Sequence, residues 1–453
     1  MATSPPLAPP ASGRGNKVSD SATSSHPAVQ RQLDRLEALG PGTDILGLER
    51  IVRLLARIGN PHLELPPVLH VAGTNGKGST CAYLRAAIEA AGLDVHVYSS
   101  PHLVRFNERI RLAGRLIEDE ALAPLLEEVI DAGGDIGASF FEVTTAAAFL
   151  AFSRTPASAC ILEVGLGGRL DATNVVPRPA MTGIAQLGVD HQAFLGDDAV
   201  AIAAEKAGIA KRGVLTATMR YPEPIARRVA QVVHAAGGTL VAEGEAWRYV
   251  VSKGTLRYTD ARGTLVSPLP ALAGPHQAGN LALAIAMLRF NPGVRLAIGA
   301  LSEAWQARWP ARMQRLAQGP LTALLPSGSE LWLDGGHNPA AADAIAATIR
   351  GIAGNRPIHL VLGMLQNKDA AELIARFPFA RSLVGVPVAG HAHHSPGHLA
   401  ELAREAGIAF TEMADSVPEA LGMLPRTPDS VVLILGSLYL AGTVLSQNGE
   451  PPQ

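Results

Sequence analysis

The sequence predicts an α/β protein with two sheet domains, and three observations lead to that prediction. Short apolar runs recur along the chain, and each is followed by a Gly-rich loop or a helix-like segment. These runs fall into two series, one before residue 220 and one after residue 330. The chain has 453 residues, of which 47% are hydrophobic, enough for more than one buried core. We expect a mostly parallel N-terminal sheet of the P-loop type with helices on both faces and a smaller, Rossmann-like C-terminal domain.

The first series predicts a parallel sheet. Each run is short and lacks charge, which is typical of a strand buried on both faces. The predicted strands are 68–72, 95–98, 159–162, 181–185 and 214–218. A region at 246–268 alternates polar and apolar residues between turns, which indicates a few antiparallel strands extending the edge of this sheet.

The second series predicts a second sheet. Its strands are 331–333, 358–362, 382–386 and 431–435. Between the two series, residues 291–312 mix Pro, Gly and Trp around one helix, so the domain boundary is placed there. The expected organisation is a disordered tail at 1–27, a central domain at 28–302, a C-terminal domain at 303–446 and a second disordered tail at 447–453.

Composition excludes several classes of protein. A net charge of −2 gives no electrostatic reason to expect binding to nucleic acid or to an anionic membrane. Two cysteines, Cys81 and Cys160, fit a reducing compartment, so we expect a cytoplasmic protein. The uncharged stretch 430–445 is shorter than a spanning helix, and its Gly436-Ser437 break predicts a strand, a turn and a helix instead. We expect a monomer.

Residues 68–80 contain the most informative motif of the chain. The apolar run 68–72 breaks at Gly73, a Gly-rich turn carrying Lys77 follows, and 81–91 has the pattern of a helix. A strand, a Gly-rich loop with Lys and a helix is the arrangement that wraps backbone N–H groups around phosphate. The sequence therefore predicts nucleotide binding, with a Gly-rich turn that binds nothing as the alternative.

This motif departs from the usual P-loop pattern. Val71 occupies the position of the first glycine, and Gly78 separates Lys77 from Ser79. The hydroxyl that normally follows the lysine and binds Mg²⁺ is thereby displaced. Either Ser79 binds the metal or another loop supplies the ligand.

Polar residues follow three of the predicted strands. Ser100 follows 95–98, Glu163 follows 159–162, and the Asp190-His191 pair follows 181–185 after a short loop. The carboxyl ends of parallel strands line the ligand crevice of an open α/β sheet, where the phosphate loop also lies. A hydroxyl, a carboxylate and an imidazole near phosphate predict a Mg²⁺ site. A strand-end cap for Glu163 and a structural role for His191 are the alternatives.

Two further features have less specific patterns. Lys206 lies in a helix-like run that ends at Gly208, and the pattern alone favours a solvated lysine or a pair with Glu205. The tract 391–398 holds four histidines without acidic or cysteine partners, which favours a solvated loop over a metal site.

Seven segments, taken together, resemble the folylpolyglutamate synthase/dihydrofolate synthase family of the Mur ligase superfamily. They are Ala-Gly-Thr-Asn-Gly-Lys-Gly-Ser at 72–79, Ser-Ser-Pro-His-Leu-Val-Arg-Phe-Asn-Glu-Arg at 99–109, Phe-Phe-Glu at 140–142, Glu-Val-Gly-Leu-Gly-Gly-Arg-Leu-Asp-Ala-Thr-Asn at 163–174, Asp-His-Gln at 190–192, Glu-Lys-Ala-Gly-Ile at 205–209 and Asp-Gly-Gly-His-Asn-Pro at 334–339. The resemblance extends from about residue 43 to residue 444.

The resemblance implies a nucleotide and metal site. The residues that would bind ATP are Gly73, Thr74, Asn75, Gly76, Lys77, Gly78, Ser79, Asn280, Arg312, Asp334 and His337. Ser100, Glu163 and His191 would hold Mg²⁺, which accounts for the displaced hydroxyl. Lys206 matches a lysine that is carbamylated in this superfamily, and the carbamate would help to bind a second Mg²⁺. Lys77, Lys206, His191 and Arg312 are the implied catalytic residues.

The resemblance also implies a pterin or folate site. Its residues would be Thr43, Asp44, Ile45, Leu46, Ser139, Phe140, Phe141, Glu142, Leu170, Asp171 and Ala172. The 169–172 stretch resembles the form found in bifunctional enzymes that also accept dihydropteroate. Ser139 stands where the family often has Thr, which keeps the hydroxyl, and Gly336 stands where Ala is frequent.

The implied activity is ATP-dependent addition of L-glutamate to dihydropteroate and to the glutamate tail of folates. The acceptor carboxylate would attack the γ-phosphate, giving an acyl phosphate that the amino group of glutamate then attacks. Three alternatives remain: a folylpolyglutamate synthase without the second activity, a peptidoglycan Mur ligase, and a non-catalytic P-loop nucleotide switch.

Overall fold

The computed structural model of the protein describes residues 24–39 and 46–453. Residues 1–23, most of the expected N-terminal tail, and the candidate folate residues Thr43, Asp44 and Ile45 lie outside the described residues. Helix α1 begins at Pro27.

The large sheet has eight strands in the order β4-β3-β2-β5-β1-β6-β7-β8. Its strands are β1 (Val68–Ala72), β2 (Val95–Tyr98), β3 (Ile110–Leu112), β4 (Arg115–Leu116), β5 (Ala159–Glu163), β6 (Met181–Ile184), β7 (Leu215–Thr218) and β8 (Thr239–Ala242). Six strands are parallel, in the sheet order β2-β5-β1-β6-β7-β8. Strands β3 and β4 add an antiparallel edge next to β2. All five strands of the first predicted series are confirmed, because an uninterrupted apolar run needs cover on both faces.

The antiparallel region forms a sheet of its own. Strands β9 (Trp247–Ser252), β10 (Thr255–Asp260) and β11 (Gly263–Pro268) pair only with one another among the named strands of the described structure. The expectation that they extend the large sheet is wrong, because β8 already occupies that edge. Trp247, Leu256, Tyr258 and Leu265 pack instead into the same core as the phosphate-loop helix.

Helices cover both faces of the large sheet. They are α1 (Pro27–Leu39), α2 (Glu49–Arg57), α3 (Lys77–Ala90), α4 (Asp119–Gly133), α5 (Phe140–Arg154), α6 (Gln192–Leu195), α7 (Ala199–Ala207), α8 (Glu223–Ala235), α9 (His276–Phe290) and α10 (Ile298–Glu303). Residues of α3 and α9 form the core on one face, and residues of α1, α2, α4 and α5 form the core on the other.

The C-terminal domain has a six-stranded sheet in the order β12-β13-β17-β14-β15-β16. Its strands are β12 (Gln314–Arg315), β13 (Glu330–Leu333), β14 (Ile358–Leu362), β15 (Ser382–Gly385), β16 (Phe410–Met413) and β17 (Val431–Leu435). Its helices are α11 (Pro339–Ala353), α12 (Ala370–Ile374), α13 (Pro396–Glu405), α14 (Val417–Met423) and α15 (Leu438–Asn448). All but β12 are parallel, as a Rossmann-like domain requires. Sequence reasoning missed β12 and β16.

The apolar stretch near the C-terminus folds as predicted, into β17, a turn and α15. Among the described helices, none has the length and hydropathy needed to cross a membrane. Order also extends into the expected C-terminal tail, since α15 ends at Asn448 and Glu450 accepts a hydrogen bond from the backbone N–H of Ala317 at 2.5 Å.

Candidate active site

The phosphate loop joins β1 to α3 through two glycines in conformations that other residues rarely adopt. Gly73 has φ of 154° and Gly76 has φ of 81°. A Cβ at Gly76 would lie 2.5 Å from Oδ1 of Asn280, so this position accepts no larger side chain without movement. The sharp turn lets α3 begin at Lys77, and the N–H groups of its first turn have no intrahelical acceptor. This is the backbone geometry that binds phosphate.

The first half of the loop is tied to the segment that follows β6. The backbone N–H groups of Thr74 and Asn75 both donate to the carbonyl of Gln186, at 2.8 and 3.2 Å. The Thr74 hydroxyl donates to the carbonyl of Gly188 at 2.8 Å. Two of the amides expected to cradle phosphate are therefore engaged within the protein. The amides at the start of α3 remain as the phosphate donors.

The inserted glycine of the motif lies against a tryptophan. A Cβ at Gly78 would come 2.8 Å from Nε1 of Trp309, in the segment between the two sheets. Ser79 is buried, and its Oγ accepts a hydrogen bond from Gln277 at 3.3 Å. The displaced hydroxyl therefore points toward α9. Trp309 and Gln277 were not among the predicted site residues, because their contacts are made only through the packing of distant segments.

Two lysine side chains converge on one carbonyl of this loop. Nζ of Lys77 and Nζ of Lys206 each donate to the carbonyl oxygen of Gly73 at 3.1 Å. Lys206 is buried on α7, so the solvated lysine favoured by the pattern is wrong, and Glu205 pairs with Arg169 instead at 3.0 Å. Desolvation, followed by the charge of Lys77, lowers the pKa of Lys206 to about 7. Much of Lys206 is therefore an uncharged, nucleophilic amine near neutral pH.

The three predicted metal ligands stand at neighbouring strand ends. Glu163 is the last residue of β5, and burial raises its pKa, whereas Lys77, Arg312 and a hydrogen bond from the backbone of Ser100 lower it. His191 follows β6 with φ of 54°, and burial lowers its pKa to about 3 despite the opposing effect of Asp190. The imidazole is therefore neutral at physiological pH, the form that binds metals.

The described residues hold no group of three or more His, Cys, Asp and Glu side chains with metal-site spacing. The candidate set differs from such a cluster, because it combines one carboxylate, one hydroxyl and one imidazole. Bound phosphate oxygens would have to complete the coordination of a Mg²⁺ held there.

Two loops of the C-terminal domain contact Asp190, which follows β6 at the same edge of the large sheet. Its carboxylate accepts hydrogen bonds from Lys368 Nζ at 2.6 Å and from Asn338 Nδ2 at 2.9 Å, and His337 Nε2 lies 3.5 Å away. Asn338 also donates to Asn75 of the phosphate loop at 3.1 Å. Burial raises the pKa of Asp190, but the hydrogen bond and charge of His337, followed by the charges of His191 and Lys368, hold it far below its usual range.

Sequence reasoning did not include Asp190, Asn338 or Lys368 among the site residues. One signal was available, because Asp190 adjoins His191 and Lys368 lies in a polar loop that follows β14. Both positions obey the same strand-end rule that identified Glu163. Their pairing across the two domains could not be read from that rule.

Arg312 and Asp334 lie together at the junction of the domains. The Asp334 carboxylate accepts hydrogen bonds from the backbone of Met313 and of Gly336, both at 2.7 Å. Burial raises the pKa of Asp334, and Arg312 opposes that effect. Ala311 and Met313, on either side of Arg312, have φ of 52° and 41°, a conformation that costs free energy in residues other than glycine. Arg312 Nη1 donates to the carbonyl of Ala311 at 2.9 Å.

The predicted folate residues divide into two groups. Ser139 and Glu142 form a capping box at the start of α5, and Glu142 accepts a hydrogen bond from Arg50 at 2.9 Å. Asp171 is buried, and its two oxygens accept from its own loop, including the amides of Leu166 at 2.8 Å and Thr173 at 2.9 Å. Ser139, Glu142 and Asp171 are therefore engaged within the protein, and Ala172 is buried with them. The half-buried side chains are Leu46, Phe140, Phe141 and Leu170.

The histidine tract 391–398 lies beside Lys368. His394 Nε2 is 2.8 Å from the carbonyl of Lys368, and His393 Nδ1 is 2.7 Å from the carbonyl of His391. His391, His393 and His394 are partly buried, whereas His398 is exposed, so the expectation of a solvated loop holds only for the end of the tract. They are engaged with backbone carbonyls and rings.

Comparison with known protein sequences gives two concordant findings. Residues 312–438 match the family model described as "Mur ligase, glutamate ligase domain". The chain is 35% identical over 417 residues to the dihydrofolate synthase/folylpolyglutamate synthase of Escherichia coli strain K12, covering 91% of this chain and 94% of that protein.

Two solved structures share the fold over nearly the full length. Escherichia coli FolC in complex with DHPP and ADP has a TM-score of 0.83 and 33% identity, over 93% of this chain and 97% of that one. A bifunctional folylpolyglutamate synthase/dihydrofolate synthase with Mn, AMPPNP and L-glutamate bound has a TM-score of 0.80 and 30% identity, over 92% and 97%.

Proposed function

Because this chain belongs to the dihydrofolate synthase/folylpolyglutamate synthase family of the Mur ligases, we propose that the junction between its two domains is the site of ATP-dependent glutamate ligation. The protein is an ATP-dependent glutamate ligase. We propose that its acceptors are dihydropteroate and folate glutamate tails and that the reaction passes through an acyl phosphate. We also propose which residues perform this reaction, which metal ions it uses and how many.

One observation carries the assignment of the site. The first turn of α3, Lys77 and the carboxylate of Glu163 meet at one sheet edge, and the Asp334–Asn338 segment closes that edge from the other domain. A γ-phosphate held by α3 would thus lie between cations from both domains, Lys77 and Arg312. Neutralising the charge of the transferred phosphoryl group is the main task in this chemistry.

The residues present fit a divalent metal. Glu163 is a buried carboxylate that accepts a hydrogen bond from the backbone of Ser100, and the imidazole of His191 is neutral. We propose Mg²⁺ on Ser100, Glu163 and His191, and a second Mg²⁺ near Lys206. When bound, such ions polarise phosphoryl oxygens and neutralise negative charge.

Lys206 fits the carbamate proposal on physical grounds. Two ammonium groups directed at one carbonyl repel each other, and an adjacent Mg²⁺ would increase that repulsion. The low pKa supplies the neutral amine, whose nitrogen would form a bond to the carbon of CO₂ and lose one proton to solvent, leaving a carbamate anion. Carbamylation of Lys206 would therefore turn an unfavourable neighbour of the metal into a ligand.

The protein's own groups would act mainly by positioning. The acceptor carboxylate would attack the γ-phosphate in line while Lys77 and Arg312 hold the phosphoryl oxygens, releasing ADP and leaving an acyl phosphate. The amino group of L-glutamate would then attack the acyl carbon, and inorganic phosphate would leave with its bonding electrons. The half-buried Phe140, Phe141, Leu170 and Leu46 would contact the pterin ring. Asn280 and Asp334 would contact the nucleotide, and His337 lies in the same loop as Asp334.

Two properties of the whole protein are also proposed. We propose that the enzyme acts as a monomer in the cytoplasm, without nucleic acid or membrane partners. The support is a net charge of −2, two buried free cysteines and the lack of a membrane-crossing helix among the described residues.

Phosphate release from ATP tests the proposed function and its two acceptors. We expect release only when L-glutamate is present together with dihydropteroate or tetrahydrofolate, and each acceptor should gain one glutamate by mass spectrometry. Release with tetrahydrofolate alone as acceptor would reduce the activity to polyglutamylation. Release with UDP-muramyl substrates but not with folates would instead indicate a peptidoglycan ligase, and binding of ATP without any release would indicate a nucleotide switch.

Lys77→Ala tests the phosphate-loop assignment in the same assay. Because Lys77 is the cation beside the first turn of α3, we expect turnover to fall by at least about a hundredfold. Lys211→Ala is the matched control, since Lys211 donates to the carbonyl of Asn174 outside the phosphate loop. Turnover of Lys77→Ala within a factor of about three of the wild type would remove the assignment.

A further inference from the structure

A cavity of about 1090 Å³ lies on the C-terminal domain, away from the junction described above. It is lined by the end of α11, the start of β14 and the residues that precede β15. Strands β14 and β15 are parallel, so their amino ends share the sheet edge opposite to the catalytic one. Nothing in the proposed reaction uses this cavity.

The lining of this cavity is basic. Arg350, Arg356 and Arg381 all line it, together with His359, and no aspartate or glutamate does. Arg356 is partly neutralised by Glu330, 3.3 Å away. Within the described part of the chain, no ion pair joins Arg350 or Arg381 to a carboxylate, and both are exposed. The lining therefore carries a local positive charge, although the net charge of the protein is −2.

Two further contacts suit the cavity to a ligand. The guanidinium carbon of Arg350 lies 5.2 Å from the centre of the Phe379 ring, which holds that side chain over the cavity wall. His359 is buried, its Nδ1 is 2.8 Å from Ser382 Oγ, and its Nε2 has no hydrogen-bond partner in the described structure. A buried polar atom without a partner is costly, so His359 adds an unsatisfied polar group to the cavity lining.

We propose that this cavity binds a small molecule that carries at least two phosphate or carboxylate groups. The fork of a guanidinium matches the two oxygens of either group, and two arginines without carboxylate partners can hold two such groups. The cavity has room for a ligand of nucleotide size. The site is distinct from the catalytic junction and does not depend on the proposed reaction.

Rigid elements connect the two sites. Helix α11 carries Arg350 in its last turn, and its N-cap is Asn338, which contacts Asp190 and Asn75. Fifteen residues of helix place these ends about 20 Å apart. Strand β14 begins in the cavity wall, and Lys368 lies in the loop that follows it. An occupant of the cavity would therefore contact the same two elements that hold the domains together.

Isothermal titration calorimetry tests the proposal with two probes, tripolyphosphate and tri-γ-glutamate. Each is titrated into metal-free protein saturated with ADP, which blocks the phosphate loop. We expect at least one probe to bind at one site besides the ADP site. Its affinity should fall about tenfold or more in the double variant Arg350→Ala/Arg381→Ala, and it should also fall as salt is added. The probe that binds more tightly identifies the phosphate or the carboxylate class.

Arg404→Ala is the matched control, because Arg404 is an exposed arginine in the last turn of α13 that does not line the cavity. It should bind as the wild type does. If the double variant unfolds at a lower temperature, Arg381→Glu replaces it, since a charge reversal at an exposed position should abolish binding without removing packing. Absence of the additional site for both probes, or equal affinity in the arginine variants, would overturn the proposal.

Discussion

Lys206 shows how a side chain acquires a chemical role through burial. The same residue in an exposed helix would be a permanent cation, but desolvation and Lys77 bring its pKa to about 7. The unfolded chain binds a proton at Lys206 up to a pH near 10.5, the ordinary value. Folding therefore releases protons between pH 7 and 10.5, and this group makes the protein more stable as pH rises through that range.

Carbamylation of Lys206 can be observed directly. With ¹³C-bicarbonate we expect one protein-bound carbamate signal by NMR, strong at pH 8 and lost below about pH 7, where the amine becomes protonated. Lys206→Ala should lack the signal and the activity, with partial recovery of activity on addition of short-chain carboxylates. Lys211→Gln should keep the signal, because Lys211 lies outside the phosphate loop. A pH-independent signal, or wild-type activity in Lys206→Ala, would contradict the carbamate.

Gly78 is constrained by a neighbour that is distant in sequence. A Cβ at this position meets the indole of Trp309 at 2.8 Å, so Gly78→Ala must displace either the tryptophan or the first turn of α3. We expect a cost of about 1–3 kcal/mol, measured as a fivefold to hundredfold weaker binding of ATP. Gly299→Ala is the control, since nothing lies within 4 Å of its Cβ. Equal ATP affinity in Gly78→Ala and the wild type would show that Trp309 does not restrict the loop.

At the scale of elements, the loop after β5 depends on one carboxylate. Asp171 accepts hydrogen bonds from the amides of Gly165, Leu166 and Thr173 and from the Thr173 hydroxyl. His70 of β1 joins the same network, with its Nε2 2.8 Å from Thr173 Oγ1. The loop that follows Glu163 is thereby linked to the strand that precedes the phosphate loop.

Asp171→Ala should destabilise the protein by about 1–3 kcal/mol, because it leaves buried amides without an acceptor. Chemical denaturation followed by circular dichroism measures the change. Asp197→Ala, at an exposed position, should alter stability by less than about 0.5 kcal/mol. If Asp171→Ala weakened acceptor binding while stability stayed unchanged, the side chain would contact substrate instead of shaping the loop.

At the scale of the molecule, the candidate active site lies where the two domains meet. Asp190 of the first domain accepts hydrogen bonds from Lys368 and Asn338 of the second, and it is buried at the contact. Arg312 lies on the strained segment that connects the domains. We therefore expect the proposed reaction to require a particular domain arrangement as well as a complete set of side chains.

Asp190→Ala should reduce kcat by about a hundredfold or more while ADP still binds, because it leaves the partly buried Lys368 ammonium without its carboxylate partner. Lys368→Met removes the Lys368–Asp190 ion pair by changing the lysine, so that Asp190, the neighbour of His191, stays in place. This variant should also lower kcat. Small-angle X-ray scattering should show a larger radius of gyration for both. Asp343→Ala is the control, since its partner Arg376 lies in the same domain. Unchanged kcat and scattering in both variants would exclude a role for this contact in closure.

The sequence by itself determined the two-sheet α/β architecture, the central strands and the strand-end positions of Lys77, Ser100, Glu163 and His191. Apolar runs and Gly-rich turns are local signals, and a parallel sheet aligns its carboxyl ends by construction. It could not determine β8, β12 or β16, whose short segments take their pairing from neighbouring strands.

Only the tertiary structure decided the contacts between segments far apart in the chain. It buried Lys206 beside Lys77, placed Trp309 on Gly78, and joined Asp190 to Lys368 and Asn338. These contacts depend on how helices pack and domains meet, which no local pattern encodes. The lowered pKa of Lys206 follows from that packing, because desolvation and charge proximity are properties of the folded molecule.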